Sequence, residues 1–148
     1  MKFENTTEED IWQVSAWQDV NIDPAHHGMD PNFWLTGRGY IAFKLVDDEG
    51  TAMYVRFNRV DDKTLRLFTQ FAPESDVSKQ RTAGAILQAI PVFIKEVAED
   101  GIEAIIFESR SESLINFMSM SFGFEHLKDA DYILRFQKHG AACATVQD

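Results

Sequence analysis

Thr64-Leu65-Arg66-Leu67-Phe68-Thr69-Gln70-Phe71 leads, through a polar link around Pro73, into Gln80-Arg81-Thr82-Ala83-Gly84-Ala85. In the first segment Leu65, Leu67, Thr69 and Phe71 recur at every second position, the period of a strand. After the second segment Ile86, Ile90, Phe93, Ile94 and Val97 recur at the spacing of a core-facing helix. Ser75 or Ser78 can cap that helix, and Asp100-Gly101 can end it. Pro91 lies inside it and predicts a kink or a split, because proline cannot donate to the Leu87 carbonyl. Small residues where a strand hands over to a helix can hold a pyrophosphate on backbone N–H groups.

Downstream, Ala104-Ile105-Ile106-Phe107 is apolar at every position, which predicts a central strand covered on both faces. Coming after a helix, it should run parallel to the strand ending at Phe71, through a right-handed crossover. Ser111 or Ser113 can cap a second helix carrying Leu114, Phe117, Met118 and Ser121. Phe122–Leu127 and the alternation of Tyr132, Leu134 and Phe136 predict two closing strands. Upstream, the period is two from Arg38. Ile41, Phe43 and Leu45, then Met53, Val55 and Phe57, alternate around the turn Asp47-Asp48-Glu49-Gly50. A second turn, Asp61-Asp62-Lys63, completes a three-stranded meander. Near the N-terminus, Thr6 or Thr7 with Glu9 or Asp10 forms a capping box for a helix over about residues 7–19. Asn21–Thr36 has no clear period.

The chain has 148 residues, 45% hydrophobic and 12% aromatic, enough for one globular domain over 1–140 with a frayed tail over 141–148. With 24 acidic and 14 basic residues, the formal charge is −10. Such a balance argues against nucleic-acid binding, which needs cations to replace phosphate counterions. A basic substrate would suit it, and so would a purely solubilising role. The acids are scattered, not in the long runs that a mimic of DNA charge requires. Cys143 is the single cysteine, so no disulfide framework forms within one chain. No apolar run reaches the roughly 18 residues of a membrane helix, and Met1–Asp10 is unlike a signal peptide. A cytoplasmic location with no membrane partner is therefore expected.

The element order β-β-β-α-β-α-β-β after a helical N-terminal region resembles the GNAT superfamily of N-acetyltransferases, over roughly residues 38–137. That resemblance implies an α/β (α+β) fold: a mixed, mainly antiparallel sheet with a central parallel β-α-β crossover and flanking helices. It implies acetyl-CoA as co-substrate and an amine acceptor. The family loop Gln/Arg-x-x-Gly-x-Gly/Ala matches in two registers. From Arg81, Gly84 fits and Ile86 takes the last small position. From Gln80, Ala85 fits and Ala83 stands for the glycine. The resemblance thus assigns Phe71, Gln80, Arg81, Thr82, Ala83, Gly84 and Ala85 to the cofactor, with Lys79 near enough to add a contact. Phe122-Gly123-Phe124 supplies the family's Gly-Phe pair, and the tyrosine that often precedes it falls here on Ser119. Ser119 is the candidate proton relay, and Glu74 and Glu108 are candidate bases near the expected cleft mouth. Gln70 is expected to meet substrate or to face solvent.

Two readings stay open. One is an N-acyltransferase working by direct attack, without a covalent intermediate. The other is a GNAT-fold protein without catalysis, serving a protein partner, an assembly or a second copy of itself. His26, His27 and Asp30 have metal-ligand chemistry, but adjacent histidines in a loop point apart and no further ligand is spaced nearby, which argues against zinc. No Gly-x-Ser-x-Gly elbow supports a serine nucleophile. Trp12, Trp17, Phe33 and Trp34 are expected in the core, or in part on a protein-contact surface.

Overall fold

A computed structural model describes residues 2–20, 30–35, 40–73 and 77–136. Glu74, His26, His27, Cys143 and the tail over 141–148 lie outside them. The strands are β1 (Lys2–Asn5), β2 (Tyr40–Asp47), β3 (Gly50–Asp61), β4 (Thr64–Phe71), β5 (Ala104–Glu108), β6 (Glu125–Lys128) and β7 (Asp131–Arg135). The helices are α1 (Ile11–Val20), α2 (Lys79–Glu99) and α3 (Glu112–Phe122), with 3-10 turns at Glu8–Asp10 and Pro31–Trp34. The sheet has seven strands in the order β1-β2-β3-β4-β5-β7-β6, with β4 and β5 parallel and the β1–β2, β2–β3, β5–β7 and β6–β7 pairs antiparallel. This is the mixed, mainly antiparallel α/β arrangement expected above.

Backbone proximity divides the chain into two compact units. One is Met1–Asn58 with Phe68–Ala89; the other is Arg59–Leu67 with Ile90–Asp148.

In the first unit the core is aromatic. Val14, Trp17, Trp34 and Tyr54 form a buried cluster, with Phe33, Phe68 and Ala72 against it. Trp12 is exposed, which leaves Trp17 and Trp34 as the core tryptophans. The Thr6 hydroxyl donates to the Trp34 carbonyl and ties the chain start to the 3-10 turn. Among the expected caps, Thr7 and Asp10 form the box: the Thr7 N–H donates to Asp10 Oδ2 at 2.8 Å. The β2–β3 turn closes with Gly50 at φ +112, and Asp47 Oδ1 accepts the Glu49 N–H at 2.8 Å.

One strand is added and two local expectations are corrected here. β1 is a strand that no periodicity announced. Its four residues are all exposed, and it exists because β2 offers a free edge from Phe43 to Val46. Simple alternation fails in β2: Ile41 is 59% exposed, while Ala42 and Leu45, of opposite parity, are both sealed. A register shift between Leu45 and Val46 accompanies this break. In β3 the whole run Ala52–Phe57 is buried, so both faces are covered despite an alternating sequence.

The second unit holds the parallel pair, in register from Thr64↔Ala104 to Leu67↔Phe107. Ala104, Ile106 and Ile133 form its small core cluster, and Phe124 packs edge-on to Phe107 at 4.9 Å. The end of α2 is a Schellman motif. The Ile102 N–H donates to the Val97 carbonyl, the Gly101 N–H to that of Ala98, and Gly101 takes φ +91. Pro91 does not split α2, which stays one helix from Lys79 to Glu99. Pro91 and Leu87 are both exposed, so the carbonyl left without a donor can be hydrated.

Candidate active site

The start of α2 carries most of the expected cofactor residues. Ser78 caps it: its Oγ accepts the Arg81 N–H at 3.1 Å, and its carbonyl accepts the Thr82 N–H at 3.0 Å. Gln80–Ala85 are therefore helical, as a cap at Ser78 implies, and do not form the phosphate loop of the family motif. From Ala83 onward an α-helical N–H is directed at the carbonyl four residues back. What Ala83, Gly84 and Ala85 offer is three small residues at consecutive positions, which point about 100° apart around the helix. A Cβ built on Gly84 would meet nothing within 4 Å. Ala85 is buried, Ala83 and Gly84 are half-buried, and Gln80 is exposed.

Arg81 has a different set of partners from those expected. Its Nε donates to Asp47 Oδ2 at 2.6 Å, and its Nη2 donates to Asp47 Oδ1 and, at 2.8 Å, to the Gly50 carbonyl. The guanidinium therefore grips the β2–β3 turn as a two-pronged fork. The Arg81 guanidinium also holds the Asp47 carboxyl below the usual carboxylate range. Arg81→Ala should cost about 2 kcal/mol of stability, since charged hydrogen bonds are lost at a side chain only 14% exposed. A double-mutant cycle with Asp47→Ala in urea checks this, and additive losses would show that the pair is not coupled.

Phe71 ends β4 and is half-buried. The register of β4 with β5 stops at Leu67↔Phe107, whereas β4 runs on for Phe68–Phe71. In the second unit, Glu108 ends β5, exposed and opposite Asp131. Arg66 binds Asp131 with both terminal nitrogens at 3.0 Å. Hydrogen bonding to Asp131, aided by attraction to Asp131 and Glu108, raises the Arg66 guanidinium above its ordinary value. Ser119 is half-buried on α3, and its carbonyl accepts the Gly123 N–H at 2.9 Å. Gly123 caps α3 in the left-handed region at φ +87. Phe71 and residues 80–85 thus belong to one unit, Glu108 and Ser119 to the other.

No protein-family model matches the chain, and no curated protein sequence matches it. Solved structures do. The ribosomal-protein-S18-alanine N-acetyltransferase from Escherichia coli superposes with a TM-score of 0.66 at 15% identity, covering 97% of this chain and 99% of that one. A spermidine N-acetyltransferase SpeG chimera from Vibrio cholerae and hSSAT gives 0.67 at 8% identity, covering 91% and 96%. The aminoglycoside acetyltransferase AAC(6')-Ib, in complex with coenzyme A and kanamycin, gives 0.65 at 10% identity, covering 90% and 94%. This chain has the GNAT fold.

In this GNAT-fold protein a partly buried polar network was not anticipated from the sequence. Asp10 Oδ1 accepts from Lys44 Nζ at 2.8 Å and lies 3.1 Å from the Tyr54 hydroxyl, which is 2.7 Å from Gln13 Oε1. The only signal was a lysine inside an apolar strand, opposite a helix start. Burial, and then the Asp10 charge, push the Tyr54 phenol far up, so it stays protonated and is a poor acid. Among the described residues no three His, Cys, Asp or Glu side chains gather to hold a metal. Asp30 instead caps the 3-10 turn, accepting the Asn32 N–H at 2.9 Å. No described helix is long and apolar enough to cross a membrane.

Proposed function

We propose that residues 1–140 form one acyltransferase domain that moves an acetyl group from acetyl-CoA to an amine acceptor by direct attack. The observation that carries this reading is the end of the parallel ladder at Leu67↔Phe107 with β4 continuing to Phe71. An extended pantetheine arm can pair along such a strand edge, as an added strand does. The fold is shared with proteins named as acetyltransferases, one of them in complex with coenzyme A. The small residues Ala83 and Gly84, both half-buried, would let the pyrophosphate approach the first turns of α2, toward its positive end.

In the proposed reaction the amine nitrogen, as the free base, bonds to the thioester carbonyl carbon and the C–S bond breaks. Backbone N–H groups of β4 stabilise the oxyanion. Glu108 or Glu74, directly or through water, takes the amine proton, and Ser119 relays a proton to the leaving thiolate. Ser119→Ala should lower kcat about 10- to 100-fold, while Ser119→Tyr, a better acid, should raise it. Equal rates in wild type and both variants would exclude Ser119 from the proton path.

A second reading, a GNAT-fold protein kept for its surface, is favoured by one observation. The Arg81 guanidinium is already committed to Asp47 and Gly50. Calorimetric titration with acetyl-CoA, with adenosine 3′,5′-bisphosphate as control, decides between them. Micromolar binding that requires the pantetheine arm supports the enzyme, and absence of binding at high ligand concentration supports the surface role, with a protein partner or second copy as ligand.

A further inference from the structure

Trp12 is 82% exposed, although an indole has more apolar surface to gain from burial than most side chains. It stands on the outer face of α1. The inner face carries Val14 and Trp17, which pack with Trp34 and Tyr54 and anchor the helix. At about 100° per residue, Ala16 and Asp19 fall within roughly 40° of Trp12, one and two turns further on. The 3-10 turn Glu8–Asp10 runs straight into α1 and brings Glu8 and Glu9 one turn before Trp12. Glu8, Glu9, Trp12, Ala16 and Asp19 are all exposed. Glu8 and Glu9 suit the positive end of a helix. Asp19 does not: it sits in the last turn of α1, where the helix dipole disfavours an acid and no basic residue offsets it. Neither packing nor helix stability therefore accounts for Trp12 and Asp19. The charge of this region also has one sign. Residues 3–37 contain seven acids and no Lys or Arg, and of the seven only Asp10 is tied to a lysine, Lys44.

We propose that the outer face of α1 docks an arginine-bearing segment of a partner protein. Trp12 stacks on one guanidinium, and Glu8, Glu9 and Asp19 pair with the flanking ones. Guanidinium groups stack on aromatic faces and grip carboxylates as a fork, so one side-chain type satisfies both kinds of group. At about 1.5 Å per residue, the face runs roughly 16 Å from Glu8 to Asp19. An extended segment with arginine at alternate positions sets three such side chains over about 13 Å, a matching length. Other occupants fit worse. A second copy would set two acidic faces against each other, and nucleic acid or an anionic lipid surface would be repelled as well. Docking on this face is independent of acetyl transfer.

The probe is the peptide acetyl-Ala-Arg-Ala-Arg-Ala-Arg-Ala-amide, titrated into the full chain in about 0.1 M salt, where charges are screened beyond about 10 Å. The same peptide with citrulline for arginine is the uncharged control. Trp17 and Trp34 are buried, so protection from acrylamide quenching reports on Trp12, while calorimetry gives the affinity. Wild type should bind the arginine peptide with a Kd below about 1 mM, and the citrulline peptide at least about tenfold more weakly. Trp12→Ala should weaken binding about fivefold, and Glu8→Gln with Asp19→Asn about as much. Both variants should melt near wild type, because these side chains are exposed. Glu96→Gln with Glu99→Gln removes the same charge from exposed positions of α2 and should change affinity less than about twofold. Equal losses in the two acid pairs would mean that net charge alone attracts the peptide, and would overturn the proposal. So would unchanged affinity in Trp12→Ala, equal binding of the citrulline peptide, or no binding at all. Spermine that binds as tightly as the peptide would make the occupant a small polyamine and overturn the assignment to a protein. Wild-type dimers that dissociate in Trp12→Ala would make it a second copy, and overturn it as well.

Discussion

Gly84→Glu is expected to weaken CoA binding at least about a hundredfold while thermal unfolding stays near that of wild type. Glycine inside a helix costs about 1 kcal/mol relative to alanine, and the space over Gly84 is open. Packing therefore gives no reason for a glycine here. Close approach of a ligand does. Glutamate is also a better helix former than glycine, so the variant should fold at least as well as wild type. Against a bound pyrophosphate the same carboxylate is repelled by about 3 kcal/mol per charge at roughly 5 Å and an effective dielectric of about 20, before any steric conflict. Gly84→Ala is the control, with higher stability and a modest loss of affinity. Titration calorimetry beside thermal melts reads both effects. Unchanged affinity in Gly84→Glu would remove residues 80–85 from the cofactor site.

Asp10→Ala should destabilise the protein by about 3 kcal/mol, because it strands the Lys44 ammonium, whose side chain is 17% exposed. It also removes the acceptor for the Thr7 N–H at the helix start. Lys44→Met on the Asp10→Ala background should recover much of the loss, since no charge is then left without a partner. Urea unfolding of the single and double variants checks this, and no recovery would show that packing of Asp10, not its charge, matters. The same carboxylate contributes to the pH dependence. Burial raises the Asp10 pKa, but Lys44, the Thr7 N–H and Tyr54 together bring it below its ordinary value. Asp47 and Asp131 are lowered through their hydrogen bonds to Arg81 and Arg66. An unfolded aspartate titrates near about 3.9. The folded state therefore binds fewer protons than the unfolded one around that value, and stability rises with pH there. Full stabilisation is expected above about pH 5, falling as acid drives the three groups through their folded values. A urea midpoint that stays flat down to pH 3 would contradict it.

Where apolar residues are spaced by local geometry, the elements were legible. The period of two marked β3 and β4, helical spacing marked the buried stripe of α2, and the unbroken run Ala104–Phe107 marked β5. Ser78, Ser111, Gly101 and Gly123 acted as caps because their effect reaches only a few residues. β1 was not legible, since an exposed four-residue strand has no pattern of its own until an edge pairs with it. The candidate site was legible only as a set of residues. The small residues of α2, Glu108 and Ser119 could be named, but not what Arg81 and Gln70 would meet.

The chain by itself determined the order of its elements, their approximate ends and the kind of sheet they build, because periodicity and capping act between near neighbours. Only the tertiary structure decided that Arg81 is held by Asp47, 34 residues away, and that Gln70 is sealed with one oxygen unpaired. Hydrogen-bond partners of polar side chains depend on which distant segments the packing brings within about 3 Å, and no local pattern encodes that distance.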